Sequence, residues 1–375
     1  MNSSTTEQDA ISLDSEELAA LRESIAEVLT NECDTRAVHL SLDNENDLVN
    51  AIWRQAADLG WLALALPEAD GGLGLGARGL QLLNRELGAR TAPGPFIPTL
   101  AVAQWLSEVG TEDQRSALLP AIAAGELKVA IPAALETAQP LSLSGGKVSG
   151  TVDVLGSFDA GIAVLPVGAD GWAVVRLDGA SLDPIVVWDR TRQVLRLTLN
   201  NAPVEAVIAD DADGSLGQLL GSYVAVAVAA DSLGAAENIA YKTVEYLKER
   251  VQFERPIASF QAIKHRAADL IAKISTQDAL LEQAVETLDN DSPDSALWAR
   301  LSKAGATEVF AFVSSDCIQL HGGVGHTWEF DCHIYAKRAR LNEFLINTNR
   351  ALRDNAVQSL NKALGEGRTT TELSA

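Results

Sequence analysis

Apolar residues recur at helical spacing almost from the start of the chain. After the capping-box pattern Asp14-Ser15-Glu16-Glu17, the residues Leu18, Leu21, Ile25, Val28 and Leu29 fall three or four apart and predict a first helix behind a short disordered leader. A second stripe, Leu48, Ile52, Ala56 and Leu59, predicts a helix over 45–59 that stops at Gly60. Gly71, Gly72, Gly74 and Gly76 lack the strand-to-helix GxGxxG spacing and read as a turn between helices, not a dinucleotide site. Helical patterning resumes over 77–88 and 98–125, the latter broken at Gly110 and Pro120. The prolines of Ala92-Pro93-Gly94-Pro95-Phe96-Ile97-Pro98 make the link between them extended.

Near residue 128 the period changes. Val- and Ile-rich runs over 148–154, 160–167, 171–177, 184–188 and 194–199, separated by Gly, Asp, Asn or Ser, predict antiparallel strands. Beyond Gly214 the helical period returns, with helices over 215–250, 259–288, 293–320 and 330–364 joined by short links, the pattern of a four-helix bundle. The first half of the 215–250 helix is nearly free of charge, so other helices should enclose it. The expected fold is therefore α+β and multidomain: an N-terminal helical domain (1–127), a middle antiparallel β domain (128–212) and a C-terminal four-helix bundle (213–375), with a loose polar tail from Gly365.

Charge narrows the function. With 29 Lys and Arg against 51 Asp and Glu, the net charge of −22 argues against nucleic acid and against an anionic membrane surface as partners. Cys33, Cys317 and Cys332 form no CxxC and have no zinc spacing with His, so no metal site is expected. The start MNSSTTEQDA has neither a basic region nor an apolar core of a signal peptide, and a cytoplasmic location is the expectation.

Two stretches carry candidate chemistry. YLKERVQFERPIASFQAIKHRAADL (246–270) breaks one helix at Pro256 and starts another, grouping Arg250, Gln252 and Gln261 at a corner. These could hold a polyanion or a heterocycle, or could simply cap and solvate helix ends. QLHGGVGHT (319–327) places glycines at the end of the third bundle helix, where a ligand or another backbone can approach closely; a plain turn explains the same glycines. His321 and His326 read best as hydrogen-bonding residues of that corner.

Together, RVQFERPIASFQAIKHRAADL and QLHGGVGHTWEFDCHIYAKRAR closely resemble the C-terminal domain of the acyl-CoA dehydrogenase family, and LGWLALALPEADGGLGL resembles its N-terminal domain. The resemblance implies a non-covalently bound FAD, an acyl-CoA substrate, electron-transfer flavoprotein as a partner, and tetramers in which two homologous chains, identical or not, complete each flavin site. Carried over by position, it places Arg250 and Gln252 at the flavin diphosphate, and Phe253 near the adenosine half. Gln261, Gln319, Gly322 and Gly323 would line the adenosine-diphosphate portion of a flavin held mainly by the partner, and Thr348 would stand where the family has a flavin-contacting Thr. Glu254 stands where the family usually has Gly, and VAIPAALETAQP replaces the family's flavin-reaching ALTEP-like segment.

The family's α,β-desaturation also needs a carboxylate to remove the α-proton of the thioester. At its usual position, two residues before Thr348, this chain has Ile346; at the alternative position it has Val224. Asp231, about two helical turns on, is the acid of the inner half of that helix, and is either a displaced base or a buried hydrogen-bonding acid. Glu237, Glu343 and Glu329 are weaker candidates that read as helix-surface acids. Three functional expectations stand: a dehydrogenase with a displaced base, the base-less and flavin-site-completing subunit of a heteromeric dehydrogenase, and a flavin-free scaffold or acyl-CoA-binding protein.

Overall fold

A computed structural model describes residues 14–43, 47–168, 171–210, 214–328 and 330–369. The expected leader lies outside these residues. Six helices come first: α1 (Ser15–Glu32), α2 (Thr35–Leu42), α3 (Leu48–Asp58), α4 (Gly76–Ala89), α5 (Phe96–Val109) and α6 (Glu112–Ala123). The capping box forms as its residues dictate: the Asp14 carboxylate accepts from Glu16 N and Glu17 N, and Glu17 reaches back to Asp14 N. Helix α2, capped by Asp34 and burying Val38 and Leu42, was not foreseen, because two turns carry too little pattern to register. Gly110 breaks the chain as expected, but Pro120 stays inside α6. It lies on the solvent face, where water can take the carbonyl that its missing N–H leaves unpaired.

The strands are β1 (Val129–Pro132), β2 (Ser142–Ser144), β3 (Lys147–Gly156), β4 (Ile162–Val167), β5 (Gly171–Arg176), β6 (Ser181–Pro184) and β7 (Gln193–Ala209). The pairings β1–β3, β3–β7, β7–β5, β5–β4 and β4–β1 close the sheet on itself. All are antiparallel except β1–β4, which corrects the purely antiparallel expectation. Alternation serves two cores: Ala130, Ala163, Leu165, Ala173 and Val175 pack with one another, while Val129, Ile162, Val164, Trp172 and Val174 join the main core. The run over 184–188 is not a strand. The ladder ends with Ile185 N–H donating to Val194 O at 2.9 Å, and the chain then turns away with Val186 97% and Trp188 76% exposed.

The bundle contains α7 (Ser215–Glu249), α8 (Gln261–Asp289), α9 (Ser295–His321), α10 (Cys332–Asn342) and α11 (Asn349–Gly365). By length and composition α7 could cross a membrane, yet its apolar window is 94% buried in the fold, as the charge-free pattern implied. It crosses α4 closely enough that a Cβ on Gly234 would stand 1.9 Å from Arg85 O. The helix expected over 330–364 is two helices, both packed on α9. Their link, 343–348, includes Ile346 at φ 70°, and Thr348 caps α11 by accepting from Ala351 N. Near the tail, Arg368 is tied to Asp294 at 2.7 and 2.8 Å, so the loose segment does not begin at Gly365.

Candidate functional site

The corner between α7 and α8 is a hairpin of β8 (Val251–Gln252) and β9 (Arg255–Pro256). Its two turn residues, Phe253 and Glu254, hold φ of 53° and 63°, the left-handed pair of a tight hairpin turn, without the glycine that suits it. Phe253 is consequently thrust into solvent, 86% exposed, while Arg255 lies over the Phe260 ring at 3.9 Å. The Arg250 backbone holds the corner, with N–H to Tyr246 O and C=O from Ile257 N. Its side chain is exposed and, among the described residues, has no ion-pair partner. Gln252, Glu254 and Gln261 are also exposed, and Gln261 Nε2 lies 3.0 Å from His265 Nε2.

The end of α9 lies against this corner. The His321 ring stacks on Tyr246 at 4.4 Å, and Tyr246 OH donates to His321 O at 3.4 Å. Burial lowers the His321 pKa, while Cys317 O, 2.8 Å from Nδ1, pulls the other way; the residue has a structural post. His326 is exposed at the end of the glycine turn. Gly322 and Gly323 are exposed, and a Cβ on either would meet no atom within 4 Å. Gly325 differs, since a Cβ there would stand 2.6 Å from Ile318 O. Open backbone at 322–323, exposed Gln319 and a crevice of about 830 Å3 lined by Tyr246, Arg250, His321 and Phe330 therefore share one end of the bundle.

Thr348 is not there. Its neighbour Asn349 accepts from Lys303 Nζ early in α9, and Lys303 is about 27 Å from His321 at the helical rise. The nearby Ile346 is 2% exposed, its N–H donating to Ala133 O at 2.8 Å and its C=O accepting from Glu136 N at 3.2 Å. The turn after β1 thus closes directly onto the link at Ile346.

Asp231 is 1% exposed and fully engaged. Oδ1 lies 2.7 Å from Arg192 Nη2 and 2.9 Å from Arg338 Nη2, and Oδ2 accepts from Asn342 Nδ2 at 2.9 Å. Burial works against the charge, but the two guanidiniums outweigh it and hold the carboxyl below its usual range. Proton abstraction calls for the opposite shift and for access to substrate. Val224 is buried, Glu237 pairs with Arg85, and Glu343 pairs with Arg340. Glu329 lies outside the described residues. The sequence reading missed Arg192, Arg338, Glu136 and Lys303. A cation such as Lys303 inside the apolar stripe of α9 is the one signal that could have drawn attention.

The family model of the acyl-CoA dehydrogenase N-terminal domain matches residues 15–126, and that of the C-terminal domain matches 222–360. The chain belongs to the acyl-CoA dehydrogenase family. Members of this family of oxidoreductases use FAD. The chain is 32% identical over 336 residues to acyl-CoA dehydrogenase IpdE2 of Mycobacterium tuberculosis, covering 89% of this chain and 94% of that one. It is 32% identical over 314 residues to FadE34 of the same organism, covering 82% of this chain but 42% of the relative. Among solved structures, a variant of the steroid ACAD Tcur3481-Tcur3483 has a TM-score of 0.84 at 28% identity, covering 93% of this chain and 99% of that one. The ChsE4-ChsE5 complex of Mycobacterium tuberculosis shares the fold, with a TM-score of 0.80 at 23% identity and coverage of 95% and 99%.

Proposed function

We propose that this chain is the flavin-site-completing subunit of a heteromeric FAD-dependent acyl-CoA dehydrogenase, without a base of its own. The observation that carries this reading is the contrast between the two ends of the bundle: an open corner whose exposed Arg250 has no ion-pair partner among the described residues, and a closed link with Ile346 where the family resemblance would put the base.

The corner suits the adenosine-diphosphate half of FAD. Arg250 would hold the diphosphate with paired charge-assisted donors, and Gln252, Gln261 and Gln319 would supply amide groups. Gly322 and Gly323 would admit the group to their backbone, and Phe253 would cover the adenosine. The ring half of a flavin does not suit this chain's own link, where Ile346 is hydrogen-bonded shut. Thr348 would have a ring to meet only if that link opened. When bound, FAD supplies the hydride acceptor for desaturation of a CoA thioester; the carboxylate for the α-proton would come from the sister chain.

Asp231 is then a structural anion, not a displaced base. Relatives named for steroid and acyl-CoA chemistry support a steroid-derived or other lipid acyl-CoA as substrate class; electron-transfer flavoprotein would be the electron acceptor, as the family resemblance implies. FadE34, of which this chain covers 42%, has room for a second unit of similar size, which favours a paired arrangement. The test is co-expression with a base-bearing sister chain, then mass, flavin stoichiometry and dye reduction over a panel of CoA thioesters. A yellow heteromer that turns over is expected; turnover by this chain alone, or a complex that takes up no FAD, would refute the reading.

A further inference from the structure

One side chain bridges the crevice between the sheet and the bundle. Glu136, in the turn after β1, accepts from Arg300 Nε on α9 at 2.6 Å, from Asn347 Nδ2 in the link at 3.1 Å and from Asn355 Nδ2 on α11 at 3.0 Å. Its backbone N–H is the donor to Ile346 O, one residue before Asn347. From the other side, Lys303 Nζ donates to Glu343 O and Asn347 O at 3.0 Å each and to Asn349 Oδ1 at 3.2 Å. The link is therefore pinned on both sides. In front of Glu136 lies a cavity of about 830 Å3 lined by Leu135, Trp172, Leu297, Arg300 and Asn355; behind it, Leu345 and Ile346 are buried.

We infer that Glu136 is a clamp that shuts this chain's own flavin-ring slot, leaving the chain able to serve only a flavin held by its sister. Three donors from three elements converge on one carboxylate, so removing it releases α9 and α11 from the β1 turn and leaves the link held there by the backbone bonds of Ile346 to Ala133 and Glu136. The biological sense of the clamp rests on the subunit reading above, whereas its geometry does not.

The test uses the full chain, alone and in its complex, with hydrogen exchange at the Glu136 and Ile346 amides and binding of riboflavin followed by fluorescence. Glu136→Ala is expected to speed exchange at both amides at least tenfold, leave the core of α7 unchanged, and bind riboflavin at least tenfold more tightly than the natural chain. Unchanged exchange at Ile346 in a folded variant overturns the clamp. So does faster exchange with no gain in riboflavin binding, because something other than Glu136 would then exclude the ring. Should Glu136→Ala not fold, Arg300→Gln releases only the α9 arm and is read by the same two measurements. A complex that holds no FAD, or turnover by this chain alone, would sink the subunit reading while leaving these readouts intact, so the two failures are distinguishable.

Discussion

Replacing Asp231 by Asn separates the structural role of that residue from the catalytic one. The substitution keeps size and shape but removes the charge that faces Arg192 at 2.7 Å and Arg338 at 2.9 Å in a site 1% exposed. Breaking a buried ion pair from one side costs about 3–5 kcal/mol, because the partner is left charged without compensation. Here two guanidiniums lose the same anion. Both keep other acceptors, since Arg338 donates twice to Ala92 O and Arg192 donates to Asn342 Oδ1, so a loss of about 3–5 kcal/mol is expected and not double that. Against a typical total of about 5–15 kcal/mol, this would move the urea midpoint of the isolated chain strongly. The folded pKa of Asp231 is depressed, so its contribution is full above the unfolded value of about 3.9 and is lost as the pH falls below it through the folded value. The variant should therefore match the natural chain more closely in acid than at pH 7. A loss under about 1 kcal/mol, combined with abolished turnover in a complex that retains its flavin, would restore Asp231 as the base and refute the structural reasoning.

Four further outcomes are expected. Burial pulls Lys303 down to about 7, so the folded chain binds fewer protons than the unfolded one above that pH, and stability from this group rises from about pH 7 to about 10; Lys303→Met should flatten that rise in pH-dependent denaturation. Arg250→Lys, which keeps charge but loses the paired donors, should weaken FAD retention by the complex about tenfold or more in equilibrium dialysis, with the denaturation midpoint unchanged. Gly323→Ala meets open space in the chain itself, so it should lower flavin content without lowering stability; a fall in both would mean the turn, not a ligand, needs the glycine. Glu254→Gly relieves a left-handed φ of 63° at a cost in chain entropy, and a net gain of about 0.5–1 kcal/mol in thermal denaturation is expected.

The order of helical, β and helical segments was legible because the apolar period changes cleanly near 128 and again near 214. Helix α7 announced its burial by its lack of charge. The split between α10 and α11 was hidden, since Phe344-Leu345-Ile346-Asn347 holds no Gly or Pro and continues the apolar run, while the left-handed φ that breaks the helix falls on Ile346. Strand β7 was underestimated for a related reason: Asn200-Asn201 interrupts the alternation, and Asn201, at φ 52°, sits at the irregularity in the β3–β7 register between Leu199 and Ala202, beyond which the strand goes on to pair with β5. Asp231 stood out as a lone acid on an apolar helix, but its partners come from β7's approach and from α10, and no local pattern reveals such pairings. The clamp at Glu136 is equally non-local, joining the β1 turn to α9 and α11.

The closure of the sheet also bears on how the chain can assemble. With β1, β3, β4, β5 and β7 paired in a ring, the strands at the two ends of the sheet's order are, among the described residues, the three-residue β2 and the four-residue β6. Neither offers a backbone template long enough for a neighbouring strand to extend. Association with a homologous chain would then be a matter of side chains and helix faces, which can distinguish one sister sequence from another, where a shared β edge would accept almost any.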